Sequence, residues 1–273
     1  MAQFGREHAD SATASRRFID WDLATATATA LGKSGPRVTL AEATEVVEQL
    51  RRLAVEAAEH VEAFTGLRPS GPPAPVRVVD RRAWVTANIA GLRAVIVPLL
   101  MRATRGREPG PLADAVGSRV TGVQAGTVLA YLSGRVLGQF EVFSSDPGQL
   151  LLVAPNIVEV ERRIGANPRD FRLWVCLHEV THRIQFAAVP WLRAHFLAEV
   201  AAFVDAGGSG EEILERLRRA LRELVDAVRN PNSQRSVLDL VQTPAQRVVL
   251  DRITALMTLL EGHAEFVMDG VGP

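Results

Sequence analysis

The sequence predicts a mainly α-helical domain carrying one small β element. Three observations carry that expectation. Apolar residues recur at helical spacing along most of the 273 residues. Capping pairs or an early proline open several of those runs. One short run, Leu150 to Val153, has the unbroken apolar character of a buried strand.

Residues 1–17 are polar and aperiodic, which predicts a flexible lead-in to a single domain over 18–273. Ile19 to Leu31 reads as a short Ala/Thr-rich helix, closed by Gly32 and a loop through Pro36. Thr39 to Thr65 is a longer helix. Thr39 caps it, Glu42 completes a capping box, and Val46, Val47, Leu50, Leu53, Ala54 and Ala57 form one apolar stripe. The Pro-rich stretch 68–75 cannot be helical. Asp80 to Leu99 predicts another helix, and Arg105 to Leu112 a loop. From Leu112 to Phe143 the chain is apolar, with Gly122 and Gly126, then Gly134 and Gly138, each four apart. Arg119, Gln124 and Arg135 interrupt it, so close helix packing in a core is favoured over a membrane seam. After the turn at 144–148 comes the strand, which Ala154-Pro155-Asn156 ends; Glu141 to Phe143 could pair with it as a hairpin. Pro168 to Ala188, Trp191 to Asp205, Glu211 to Arg229 and Pro244 to Met268 read as helices.

Composition excludes several function classes. Lys plus Arg and Asp plus Glu are 31 each, so no global charge draws the chain to nucleic acid or to an anionic membrane. No apolar run approaches the roughly 20 residues of a membrane span. The first 20 residues lack the apolar core of a signal peptide, so a cytoplasmic location is expected. A single cysteine, Cys176, rules out an intrachain disulfide. Oligomeric state is not legible.

The chemistry concentrates in one helix. Asn167-Pro168-Arg169-Asp170 is a strong helix start, and the helix contains Leu177-His178-Glu179-Val180-Thr181-His182. Residues four apart share a helix face, so His178 and His182 can offer imidazole nitrogens to one ion, most simply zinc. Glu179 then lies beside that ion, placed to take a proton from water activated there.

A catalytic zinc needs a third protein ligand. Thr243-Pro244-Ala245-Gln246 opens the last helix as a second capping box. An apolar stripe, Val249, Ile253, Leu256, Met257 and Leu260, leads to Glu261-Gly262-His263-Ala264-Glu265. Glu261, Glu265 and Asp269 share one face, and carboxylates on an otherwise apolar helix call for positive partners. Glu261 is thus a candidate third ligand. Glu265, or Asp269, would orient a ligand histidine from behind, and Gly262 would let the helices approach. His263 is the rival ligand; it points away from Glu261, so both cannot face one ion. Gln185 and Asn156 are further candidate cleft residues. His8 falls in the lead-in, His60 on a polar face, and His195 in an ordinary amphipathic helix. Cys176, Trp174, Leu177 and Tyr131 read as packing residues.

The segments Trp174 to Phe186 and Leu259 to Asp269, with Ile19 to Leu23 and Gly35 to Val38, resemble the zincin-like metallopeptidases of actinobacteria. One branch of that family is associated with biosynthesis of the deazaflavin coenzyme. The resemblance implies a zincin-like helical domain with a small hairpin or sheet beside the metal helix. It also implies the ligand set His178, His182 and Glu261, with Glu179 as general base. The expected activity is zinc-dependent hydrolysis of a peptide, the alternatives being another amide or a non-catalytic protein with a structural metal. Members of that family continue for several helical turns beyond the segment ending in Val271-Gly272-Pro273, so the resemblance implies a C-terminus shortened either by trimming or by natural truncation.

Overall fold

The computed structural model describes residues 18–103, 111–206, 210–229 and 244–271. Residues 1–17 with His8, residues 104–110 and the cap position Thr243 lie outside the described residues; of the loop expected over Arg105 to Leu112, Pro111 and Leu112 instead begin a helix. The elements are α1 (Trp21–Leu31), α2 (Leu40–Thr65), β1 (Val76–Val79), α3 (Arg81–Ala103), α4 (Pro111–Ser133), β2 (Gly138–Glu141), β3 (Gln149–Val153), α5 (Ala154–Ile164), α6 (Pro168–Ala188), α7 (Leu192–Asp205), α8 (Gly210–Arg229) and α9 (Pro244–Val271). The fold is therefore mainly helical with one three-stranded sheet, as the sequence predicts. None of the described helices alone is long and apolar enough to cross a membrane.

Helix ends form where the local chemistry satisfies free backbone groups. Asp20 caps α1 by accepting from Leu23 N at 2.9 Å. Thr39 and Glu42 close a reciprocal capping box on α2, and Gly66 ends it at φ 70°, a conformation that favours glycine. Asn167 caps α6 through Arg169 N and Asp170 N, with Pro168 in the first turn. Helix α3 continues through Pro98 to Ala103, beyond the expected end at Leu99. The carbonyl that Pro98 leaves without its helical donor belongs to exposed Ala94, where water can serve it.

The sheet has the order β1-β3-β2, with β1 parallel and β2 antiparallel to the central strand. All four apolar residues of β3 are fully buried, and they alternate between two cores. Leu150 and Leu152 join Leu50, Ala57 and Val61 of α2, Val175, Val180 and Ile184 of α6, and Val267 of α9. Leu151 and Val153 join Trp21 and Ala24 of α1, Trp84 and Ile89 of α3, and Ala125 and Leu129 of α4. One buried strand thus fastens the metal-motif helix to one side and the N-terminal helices to the other.

Three local expectations need correction. Ala154-Pro155-Asn156 does not end the strand in a loop: Pro155 sits in the first turn of α5, which follows β3 directly. The hairpin partner is Gly138–Glu141, so the apolar region divides into a helix and an edge strand. Strand β1, only four residues long and directly after the proline-rich stretch, is too short to show a period. The glycine pairs also part company. Gly122 and Gly126 face the backbone of Asp20 and Ala24, leaving no room for a Cβ between α1 and α4. Gly134 faces open space, and Gly138 belongs to β2.

Candidate metal centre and cleft

Helix α6 carries His178, Glu179 and His182; α9 crosses it and brings Glu261. The Nε2 atoms of His178 and His182 lie 3.2 Å apart. Glu261 Oε2 stands 3.4 Å from the first and 3.5 Å from the second. Among the described residues these three form the one group of donors able to hold a metal ion. A tetrahedral ion with bonds of about 2.0–2.1 Å needs donors about 3.3–3.4 Å apart. The triangle therefore fits zinc.

The remaining ring nitrogens are engaged in a way that aims the donors. His182 Nδ1 lies 3.0 Å from Gln185 Oε1. Gln185 Nε2 donates to the Leu260 carbonyl at 3.0 Å, which fixes the amide's orientation. His182 must then carry its proton on Nδ1 and present an Nε2 lone pair to the triangle. His178 Nδ1 faces Met268 Sδ at 3.2 Å, so its proton also points away from the donors. Burial first, and then the neighbouring His182, hold His178 below its usual pKa; Glu261 and Glu265 act in the opposite sense. A neutral imidazole is the form that binds metal.

Glu179 is buried beneath this group. Its carboxyl is pushed up to about 8, first by burial and then by the charge of Glu261. It packs on Gly138 of β2: a Cβ there would stand 2.5 Å from Glu179 Cγ and 2.8 Å from its Oε1. This glycine is required by close approach.

The donors open onto a cleft of about 360 Å³, between β2 on one side and Met257, Leu260 and Glu261 of α9 on the other. Strand β2 is an edge strand. Leu137 O accepts from Val153 N at 2.8 Å, so residues 139 and 141 bond to β3 while the N–H and C=O of Gly138 and Phe140 lie on the outer edge.

The chain matches the sequence profile of the zincin-like metallopeptidases over residues 19–273. It belongs to that family. A protein from Chloroflexus aurantiacus, described as a candidate hydrolase with a novel fold, is similar in structure, with a TM-score of 0.55 and 28% identity over 92% of this chain and 80% of the other. No curated protein matches the sequence. The family is one of zinc hydrolases, which agrees with the donor chemistry of the triangle.

Against this zincin-like frame, the candidate residues divide. His178, His182 and Glu261 come together, with Glu179 adjoining, and His263 does not join them: its Nδ1 accepts from Gln185 Nε2 at 2.9 Å. Gln185 and His263 are support behind His182 and do not line the cleft. Glu265 and Asp269 are exposed, and no hydrogen bond ties either to the His178 or His182 ring; Met268 and Gln185 occupy the positions expected for them. Gly262 has nothing within 4 Å of a Cβ, so it does not bring the helices closer. Asn156 is buried away from the cleft. It accepts from Arg81 Nε at 2.6 Å and donates to Ser133 O and Val136 O. Trp174 is half-exposed and stacks on Phe171, so it is no core residue. Cys176 is buried against α2, its thiol pushed up to about 12 by burial. Sequence reasoning missed Gly138, Met268 and the phenylalanines of the cleft. Met268 lies seven residues beyond Glu261, hence on its face, and Phe186 one turn beyond His182; those two signals were legible.

Proposed function

We propose that the chain is a zinc-dependent metallopeptidase in which His178, His182 and Glu261 hold the ion and Glu179 carries the proton. The observation that carries this reading is the donor triangle of 3.2–3.5 Å, with both imidazole lone pairs aimed into it. When bound, zinc supplies Lewis acidity to a substrate carbonyl and to water. Glu179 does the rest of the proton work. Its carboxyl is protonated in the neutral range without a cation nearby and ionises readily beside one. It can therefore accept a proton from the attacking water and deliver it to the leaving amine. Three donors leave one tetrahedral position open, and Glu261 is 48% exposed on the cleft side, which favours a catalytic over a closed structural site.

The free edge of β2 supports a peptide over a small amide. Gly138 and Phe140 offer backbone donors and acceptors that extended substrate backbone could pair with. A cytoplasmic setting and independence of nucleic acid and membrane belong to the same proposal.

Metal analysis of chain purified without chelator tests the site: about one zinc per chain is expected, falling at least tenfold in His178→Ala. With a fluorogenic peptide library, Glu179→Gln should keep zinc and lose turnover. Retained hydrolysis would remove Glu179 from its role.

A further inference from the structure

The cleft continues past the metal donors into a ribbon of rings. Phe140 and Phe186 have centroids 5.6 Å apart, Phe186 and Phe196 6.4 Å, and Phe196 and Phe143 5.7 Å. All four line the same cavity as His178, His182 and Glu261. We propose that this ribbon is the subsite that receives a bulky apolar side chain, best an aromatic one, next to the scissile amide. The inference rests on the metallopeptidase reading and names its substrate class.

The distribution of phenylalanine argues for it. The chain has ten, and four stand in this wall, each only partly buried. The largest fully buried apolar side chains are aliphatic instead. Large rings left only partly buried along one cavity keep apolar area available to a ligand.

The wall is also built to stay in place. Phe186 follows His182 by one turn of α6, so the ribbon starts at the donors. Phe196 comes from α7, which leaves α6 at a bend of 93° and closes the far end. Arg193, one turn before Phe196, donates to Val142 O at 3.0 Å and to Ser145 O at 3.2 Å. That clamp holds the loop bearing Phe143 against α7.

Charge narrows the occupant. The ionisable groups lining the cavity are His178, Glu179, His182 and Glu261, all at its metal end. An acidic side chain in the ribbon would lose its hydration; the Arg193 guanidinium does not line the cavity and is already engaged by Val142 O, Ser145 O and Asp146. A basic one would find ring faces and no carboxylate there.

The test uses the zinc-loaded chain and two hydroxamates that chelate alike, acetohydroxamic acid and 3-phenylpropanohydroxamic acid, compared by titration calorimetry. The aromatic probe should bind about 10–100-fold tighter. Phe186→Ala and Phe196→Ala should bring the two probes near parity while acetohydroxamate affinity holds. Phe196→Leu, which keeps apolar volume, should give an intermediate ratio in a chain with unchanged far-UV spectrum. A metal-independent arm titrates chelator-treated chain with N-acetylphenylalaninamide and N-acetylalaninamide by NMR; only the aromatic amide should shift the ring resonances of the cleft. Equal hydroxamate affinities in a chain that binds acetohydroxamate would overturn the subsite and leave the metal reading standing. A preference for a 5-aminopentanohydroxamate would likewise overturn it. Failure of acetohydroxamate to bind would instead count against the metal reading, and the amide arm alone would then decide the pocket.

Discussion

Gln185 Oε1 lies 3.0 Å from His182 Nδ1, while its amide nitrogen is held by the Leu260 carbonyl of α9. One side chain thus sets the tautomer of His182 and joins the two helices that carry the donor triangle. Gln185→Leu should weaken zinc binding about 10–100-fold, measured by competition with a chelator. An unchanged affinity would remove Gln185 from the site.

Gly138 leaves no room for a side chain beside Glu179. Gly138→Ala should push the carboxylate aside while zinc content stays near one per chain. A displacement of that kind costs about 100-fold in turnover. Parallel loss of zinc and activity would mean that the strand had moved as a whole and that Glu179 was not the group displaced.

The proton on Glu179 gives the chelated chain a pH signature. Unfolded, the carboxyl titrates at its ordinary value of 4.5; folded, it holds its proton up to about 8. The folded state therefore binds more protons within that window, and stability falls as pH rises through it, by up to about 1.4 kcal/mol per pH unit. Urea unfolding at pH 5, 7 and 9 should show this slope, and Glu179→Gln should flatten it. The depressed His178 pKa pulls the opposite way below 6.5, so the difference between wild type and Glu179→Gln isolates the carboxyl; a wild-type advantage that grows with pH across the window would contradict the buried protonated carboxyl.

Asn156 links β3 and α5 to α3 and to the end of α4. Asn156→Ala leaves Arg81 Nε and the carbonyls of Ser133 and Val136 without their partner. Each group left unsatisfied costs about 1–3 kcal/mol. Thermal unfolding should register a clear loss, and zinc affinity should not change. The reverse pattern would return Asn156 to the cleft.

Two of the three grouped donors were legible from short-range geometry. His178 and His182 share a helix face by spacing alone, and Asn167-Pro168 places the helix start. Glu261 could be read because a carboxylate on an apolar stripe requires a partner. What lay behind the rings was harder. Glu265 was expected there on charge, but its position is exposed, and the uncharged Gln185 and Met268 take the place because they pack where a carboxylate would be desolvated. Asn156 was misplaced for a related reason: the residues it bonds, Arg81, Ser133 and Val136, lie 20 or more positions away in sequence. The same limit hid Gly138, whose role depends on a strand and a helix meeting across 41 residues of chain. Helix α5 was overlooked because an apolar run ending in Ala-Pro-Asn reads as a strand leaving for a loop. In the structure that proline begins the next helix.

The donor triangle also has a timetable. His178 and His182 leave the ribosome within one helical turn of each other, but Glu261 follows His182 by 79 residues. At about 5–20 residues per second, that interval is about 4–16 s. During it the nascent chain carries the two imidazoles of the triangle without its third member, one donor short of the three a catalytic zinc takes from protein. On the zinc reading proposed above, loading would wait until α9 has been synthesised and has packed on α6, so that no hydrolytic centre would precede its cleft.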